Sequence, residues 1–402
     1  MRAALLAVAV IAGLVVGATA MLAASAPETT PRQTPPTSHT DPSEPEVKVV
    51  PVPEPAGEVL LVWAAGGLPA GLADDVAALS RVIATTVVRG DVVELSGSVD
   101  GNGQAVDELP DGFVIPLDAV AVDTASMAAF LPKSAGPQLT GLADGEVVLS
   151  ATSAQLRGLD TGGRLDVGDG DRLEVAGVVD DALIGAAELA MTTATGGTVG
   201  VTTERYLLVQ HRGERAAVEQ EIREIAADVT LRIRGPGETP VFRHGDAVLP
   251  QAAVKEQFGE FSYRPTTGRD VQQDPGWVTE HIVTADVPIL GEVRCHRAII
   301  PALEGALAEL ADANLAWLVD AGDYSGCHAA RRTRSGQSVS RHAWGIAFDL
   351  NFSKNPVGRE STQDPRLVNV MERWGFTWGG QWLVPDPAHF EYVRPAPHDS
   401  SP

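Results

Sequence analysis

The chain has 402 residues, 44% of them hydrophobic and 21% charged, which is enough apolar material for roughly two or three packed domains and too much for a disordered chain. Lys and Arg number 30 against 53 Asp and Glu, a net charge of −23. Nucleic acid and anionic lipid, which both require a positive surface, are therefore poor candidates for the main partner.

Arg2 precedes an uncharged apolar run from Ala3 to Ala24, long enough to cross the hydrocarbon core as a helix. A cleaved signal peptide has a shorter apolar region with small residues before the cut, for which Ala18-Thr19-Ala20 would serve. Residues 1–26 are thus expected to be a transmembrane anchor or a signal peptide, and either places the remainder outside the cytoplasm. Residues 27–57 are dense in Pro, Thr, Ser and Glu, cannot bury enough apolar surface to pack, and read as an extended linker.

From 58 to 250 the composition turns rich in Ala, Val, Gly and Asp. Val59–Trp63 reads as a strand, and Leu72, Val76, Leu79 and Val82 recur at helical spacing. Thr86–Leu95 returns to β-branched character. The same grammar repeats in Tyr206–Gln210, in Val218, Ile222 and Ile225, and in Val229–Ile233. Two strand-helix-strand units predict an α+β domain with a mixed sheet. Between them, LRGLDTGGRLDVGDGDRLEVAGVVDD reads as short strands joined by Gly/Asp turns. Asp166, Asp169 and Asp171 do not follow the calcium-loop spacing, and turn chemistry accounts for them. This stretch resembles the extracytoplasmic domain of MacB/FtsX-type permeases. It carries no catalytic residues and reads as a spacer or interaction domain. Residues 251–275 are polar and irregular towards their end (FSYRPTTGRDVQQDPG) and are expected to form a second linker.

Six of the seven tryptophans and both cysteines lie beyond that point, in a domain expected over 276–396. Cys295 and Cys327, in an exported chain, either pair as a disulfide or stay as two buried thiols. Leu303, Leu307 and Leu310 mark one amphipathic helix. Asp364-Pro365 opens another as cap and first residue; Leu367, Val370, Met371 and Trp374 line its buried face, and Gly375 ends it.

The chemistry concentrates in three motifs. In S-R-H-A-W-G-I-A-F-D-L-N, Ser340 to Asn351, Phe348, Leu350 and Phe352 alternate with Asp349 and Asn351, the period of a half-buried strand, so Asp349 is expected to face a cleft or solvent. His342 and Asp349 would lie on opposite faces of one continuous strand, so a loop bending at Gly345 must bring them together. In P-D-P-A-H-F-E-Y, Pro385 to Tyr392, His389 and Glu391 alternate with Phe390 and Tyr392. Two histidines and a carboxylate form a three-ligand set that suits zinc and leaves a fourth position for water. Asp386, three positions before His389, is the candidate general base and later acid. The third motif, G-C-H-A-A-R-R-T-R-S-G from Gly326, offers Arg331, Arg332 and Arg334 for an oxyanion or a substrate carboxylate. Taken singly, each of these residues has an ordinary structural explanation, such as a hydrogen-bonded His, a turn-capping Asp or a solvated Arg. The joint pattern points to a site.

S-x-H-x-x-G-x-A-x-D followed by D-x-x-H-F-E resembles the D-alanyl-D-alanine carboxypeptidase (VanY-like) metallopeptidases, over roughly Trp277 to Arg394. That family includes L-alanyl-D-glutamate endopeptidases and shares its fold with the Hedgehog signalling domain. The resemblance implies an α+β domain with an antiparallel sheet, with His342, Asp349 and His389 as Zn2+ ligands. It implies Asp386 as catalytic acid/base and Arg331 as the substrate or transition-state arginine. The family's R-x-x-R-G context is displaced here, so Arg332 or Arg334 can substitute. The substrates implied are peptidoglycan stem peptides. A non-catalytic zinc-containing module that binds wall peptides or a protein is the alternative, and docking by the middle domain is a third. The complete set of three ligands plus an acid favours the enzyme.

Overall fold

The computed structural model describes residues 58–133, 136–168, 170–235, 249–333 and 338–393. The expected N-terminal helix over 1–26 and the linker over 27–57 lie outside these residues, as does Arg334. No helix among the described residues is long and apolar enough to cross a membrane.

The middle domain is built on ten strands. In spatial order nine of them run Leu231–Arg234, Glu58–Ala64, Glu204–His211, Val82–Val99, Ile115–Val122, Leu189–Thr192, Glu146–Ser150, Asp171–Val179 and Arg164–Val167. The tenth, Ala105–Glu108, pairs with Val82–Val99. The sheet is mixed as the sequence predicts: Ile115–Val122 with Leu189–Thr192 and Glu146–Ser150 with Asp171–Val179 are the parallel pairs. The long strand Val82–Val99 also pairs with Arg164–Val167, so six strands close into a ring. Alternate residues fill the interior of that ring: Leu117, Ala119 and Ala121, Val147 and Leu149, Leu189 and Met191. Outside it, the helices Leu72–Ala77 and Arg215–Ile225 bury Val76, Val218 and Ile222 against Leu60, Val62, Leu207 and Val209. Val82 belongs to the following strand rather than to the predicted helix, because that helix ends at Ala77.

Residues 251–275 are not the linker that composition predicts. Gln251–Phe258 is a helix with Gln251, Lys255 and Phe258 buried, and Tyr263–Pro265 pairs with Val271–Gln273. The polar residues that read as linker are satisfied by partners distant in sequence. Lys255 meets Glu188 at 2.6 Å and Glu260 at 2.8 Å, and Arg157 meets Glu260 at 2.5 Å. Burial raises the Glu260 carboxyl, but Lys255 and Arg157 outweigh it and hold Glu260 down to about 2.

Beyond it, a hairpin (Ile282–Val287 with Gly291–His296) and a three-stranded antiparallel sheet share one core with two helices. In the sheet, His389–Tyr392 lies between Ala347–Asp349 and Phe376–Trp378. The helix Ile300–Asp312 buries Leu303, Leu307 and Leu310. The helix Pro365–Arg373 is capped by the Asp364 side chain, carries Pro365 in its first turn and stops before Gly375 at φ 90°. The two helices follow the predicted pattern; the hairpin and the strand Phe376–Trp378 have no counterpart in the sequence reading.

Cys295 and Cys327 form a disulfide across 32 positions. Replacing both with Ser should lower the unfolding free energy by about 3–4 kcal/mol through the loop entropy released, read from urea unfolding of the oxidised and variant proteins.

Candidate metal centre

His342 sits on a short helical turn, Arg341–Trp344, and not in the loop expected from the sequence. The Ser340 hydroxyl caps the turn by accepting the His342 N–H, and Gly345 ends it at φ 68°. A Cβ at Gly345 would lie 2.8 Å from the His296 nitrogen and from Ile282, so only glycine permits this reversal against the hairpin. The chain then enters Ala347–Asp349, whose pairing with His389–Tyr392 sets Asp349 directly opposite His389. Strand pairing and one tight reversal thus bring together residues 47 positions apart in the chain, counted from His342 to His389.

The three side chains converge. Asp349 Oδ1 lies 3.5 Å from His342 Nε2 and 3.2 Å from His389 Nδ1, and one ligand atom from each residue falls within 4.8 Å of the others. Among the described residues this is the single such group of His, Cys, Asp or Glu. Of the cleft or solvent that its alternation allows, Asp349 faces the two imidazoles and not open solvent. The strand is only three residues long and buried on both faces, and His342, Asp349 and His389 are 3%, 5% and 7% exposed. Burial works against the Asp349 charge, but hydrogen bonds from the two imidazoles hold its carboxyl well below the usual carboxylate range.

Each histidine is oriented from behind. His342 Nδ1 donates to the Cys327 carbonyl at 3.2 Å, which leaves Nε2 as the atom turned to Asp349. His389 Nε2 lies 3.5 Å from Glu391 Oε2, and Arg341 lies 3.5 Å from the other oxygen of that carboxylate. Such partners fix the tautomer and direction of metal-binding imidazoles. Burial disfavours the charged His389 ring, but Asp349 and Glu391 outweigh it and raise its pKa to about 10. Two histidines and one carboxylate, mutually close, buried and backed in this way, are a donor set that fits zinc.

Asp386 stands at the entry to the His389 strand, half-buried, and its carbonyl accepts the His389 N–H at 3.0 Å. Its own N–H donates to the Gly379 carbonyl at 2.9 Å. A Cβ on Gly379 would come within 2.7 Å of the Asp386 carbonyl oxygen, so the glycine permits this close approach. Of the flanking tryptophans, Trp382 is half-buried with its ring 5.1 Å from that of His389, whereas Trp378 donates to the Pro387 carbonyl and packs on the core.

The arginines separate. Arg332 is committed to the middle domain, paired with Glu94 at 2.5 Å and lying over the Tyr263 ring. Arg331 forms no ion pair among the described residues, and its Nε is buried without a hydrogen-bond partner. Glu391, Arg341 and the Cys327 carbonyl have no role in the sequence reading. The signal for Glu391 was present, since i and i+2 on a strand share a face.

Residues 333–392 match the family model described as D-alanyl-D-alanine carboxypeptidase. Among solved structures, the periplasmic region of MacB from Actinobacillus actinomycetemcomitans is similar at 11% identity and a TM-score of 0.31, covering 44% of this chain and 88% of that one. The extracellular domain of the noncanonic ABC-type transporter YknZ from Gram-positive bacteria is similar at 10% identity and a TM-score of 0.30, covering 44% and 99%. Both likenesses fall on the middle domain and are too slight to bear on function. No curated protein matches the chain in sequence. The segment that builds the His342–Asp349–His389 cluster is similar to the D-alanyl-D-alanine carboxypeptidases, a peptidase family.

Proposed function

We propose that the chain is an exported zinc peptidase acting on peptidoglycan stem peptides. The observation that carries this reading is the buried His342–Asp349–His389 cluster inside the segment that matches the peptidase family. The disulfide favours an oxidising compartment outside the cytoplasm, in keeping with the apolar segment over 3–24 as an anchor or a signal.

His342, Asp349 and His389 would hold a zinc ion, which would supply a Lewis acid and an activated water. The protein's own groups do the rest. Asp349 offsets part of the metal charge, while the Cys327 carbonyl and Glu391 keep the two imidazoles aimed. Asp386 takes the proton of the attacking water on its carboxylate and returns it to the leaving amine nitrogen. Arg331, with Arg334 as its alternative, serves the developing oxyanion or a substrate carboxylate, since Arg332 is held by Glu94.

The test is a digest of purified peptidoglycan by the folded chain, with and without a zinc chelator, read by mass spectrometry. Chelator-sensitive loss of a terminal D-Ala defines a carboxypeptidase, and release of whole stem peptides defines an endopeptidase. An intact digest from protein that binds zinc stoichiometrically would replace the enzyme with a wall-peptide binding module.

A further inference from the structure

The peptidase reading draws on residues 327–392 and leaves the middle domain without a part to play. The two are joined through the helix Gln251–Phe258, which is held from both sides. On the middle-domain side, Lys255 Nζ donates to Glu188 Oε1 and to the Pro116 carbonyl, both at 2.6 Å. Gln251 Nε2 donates to Glu188 Oε2 at 2.8 Å and to the same carbonyl at 2.9 Å. The side chains of Lys255 and Glu188 are wholly buried.

On the other side the helix is gripped at its two ends by the turn that carries His342. Arg341 donates to the Leu249 carbonyl, just before the helix, at 2.5 Å. Trp344 Nε1 donates to the Gly259 carbonyl, just after it, at 3.1 Å. Arg341, Trp344 and His342 belong to one helical turn of four residues, Arg341–Trp344. Arg341 also pairs with Glu391, the carboxylate behind His389. Two of the three cluster residues are therefore placed by groups whose own position depends on this helix. Burying a charged pair is costly and gives little net stability, so its value lies in the geometry it imposes.

We propose that Glu188 is a positioning residue of the metal centre, acting through Lys255, Gln251 and the helix they anchor. The middle domain is then a structural part of the peptidase, in addition to whatever it docks against. This inference rests on the zinc-peptidase reading.

The test uses the whole folded chain. Glu188→Gln removes the middle-domain charge that holds the helix and leaves Glu260 as the carboxylate beside Lys255; Glu188→Gln combined with Lys255→Met removes both charges of the pair together and is the better tolerated. Each should weaken zinc binding about tenfold by chelator competition, the low end of the effect of a group behind a metal ligand. kcat/KM should fall in step at limiting zinc and recover with excess zinc. Leu60→Ala, in the separate apolar cluster around Glu58–Ala64, should lower Tm and leave zinc affinity unchanged. A variant with lowered Tm and wild-type zinc affinity overturns the proposal, because the hold would then be merely structural. Hydrogen exchange on the wild-type chain is the second measurement and needs no variant. By linkage, zinc should slow exchange across 251–258, and unchanged exchange there overturns the proposal too. If the wild-type chain binds no zinc, the peptidase reading itself fails; if it binds zinc and cuts while Glu188→Gln behaves identically, this inference alone fails.

Discussion

Asp386→Ala should retain zinc and lose hydrolysis, with kcat falling by about 10²- to 10⁴-fold, the usual worth of a positioned proton-transfer group. The expectation comes from where the residue sits. It lies half-buried on the turn into the His389 strand, tied by backbone hydrogen bonds to His389 and Gly379, and outside the three-residue ligand group. Loss of its carboxylate therefore leaves the metal set whole and removes the base. Stopped or continuous assays on a stem-peptide substrate, paired with metal analysis of the same protein, check both halves. Activity within a few-fold of wild type in a zinc-replete variant would take Asp386 out of the mechanism.

His389→Ala should have the larger effect on the metal itself. The variant removes one of three ligands and frees the Glu391 carboxylate from its imidazole neighbour, so zinc affinity should fall by well over the about 100-fold that marks loss of a supporting group. Hydrolysis should disappear with the metal. Glu391→Gln makes the informative comparison, since it keeps all three ligands and should cost only about 10- to 100-fold in affinity. Chelator competition on the two variants reads the difference. Equal affinities in His389→Ala and wild type would mean that the cluster is not the zinc site.

Much of the centre was legible in the chain because its signals are local. The S-x-H-x-x-G-x-A-x-D and D-x-x-H-F-E motifs contain the three residues that converge, and Asp349 and His389 each lie on a strand whose partner the pairing supplies. Gly345 was read correctly as the point of reversal, because positive φ is a property of the residue. The flanking helices were readable for the same reason, with leucine spacing on one and an Asp-Pro start on the other. Less legible was the exposure of Asp349. Alternation reports which two faces a strand has, and it is silent when both faces are covered, as they are here.

The segment 251–275 shows the same limit in another form. Lys255, Gln251 and Glu260 read as a polar linker because composition counts charges without their partners. The partners, Glu188, Arg157 and the Pro116 carbonyl, lie from 63 to 139 positions away in the middle domain. Arg332 was one of three interchangeable arginines in the sequence, and its pairing with Glu94 across 238 positions is what separates it from Arg331.

By itself, then, the sequence singled out His342, Asp349 and His389, which converge, through two short motifs, and the framing helices and the α+β character of both halves through short-range periodicity, caps and turn residues. Tertiary structure alone decided that Arg332 is held by Glu94, that Cys295 and Cys327 are bonded, and that part of a supposed linker is a buried helix joining the middle domain to the turn that carries His342. The physical reason is that burial, charge pairing and the partner of a hydrogen bond are properties of where the chain returns, and a linear pattern does not contain them.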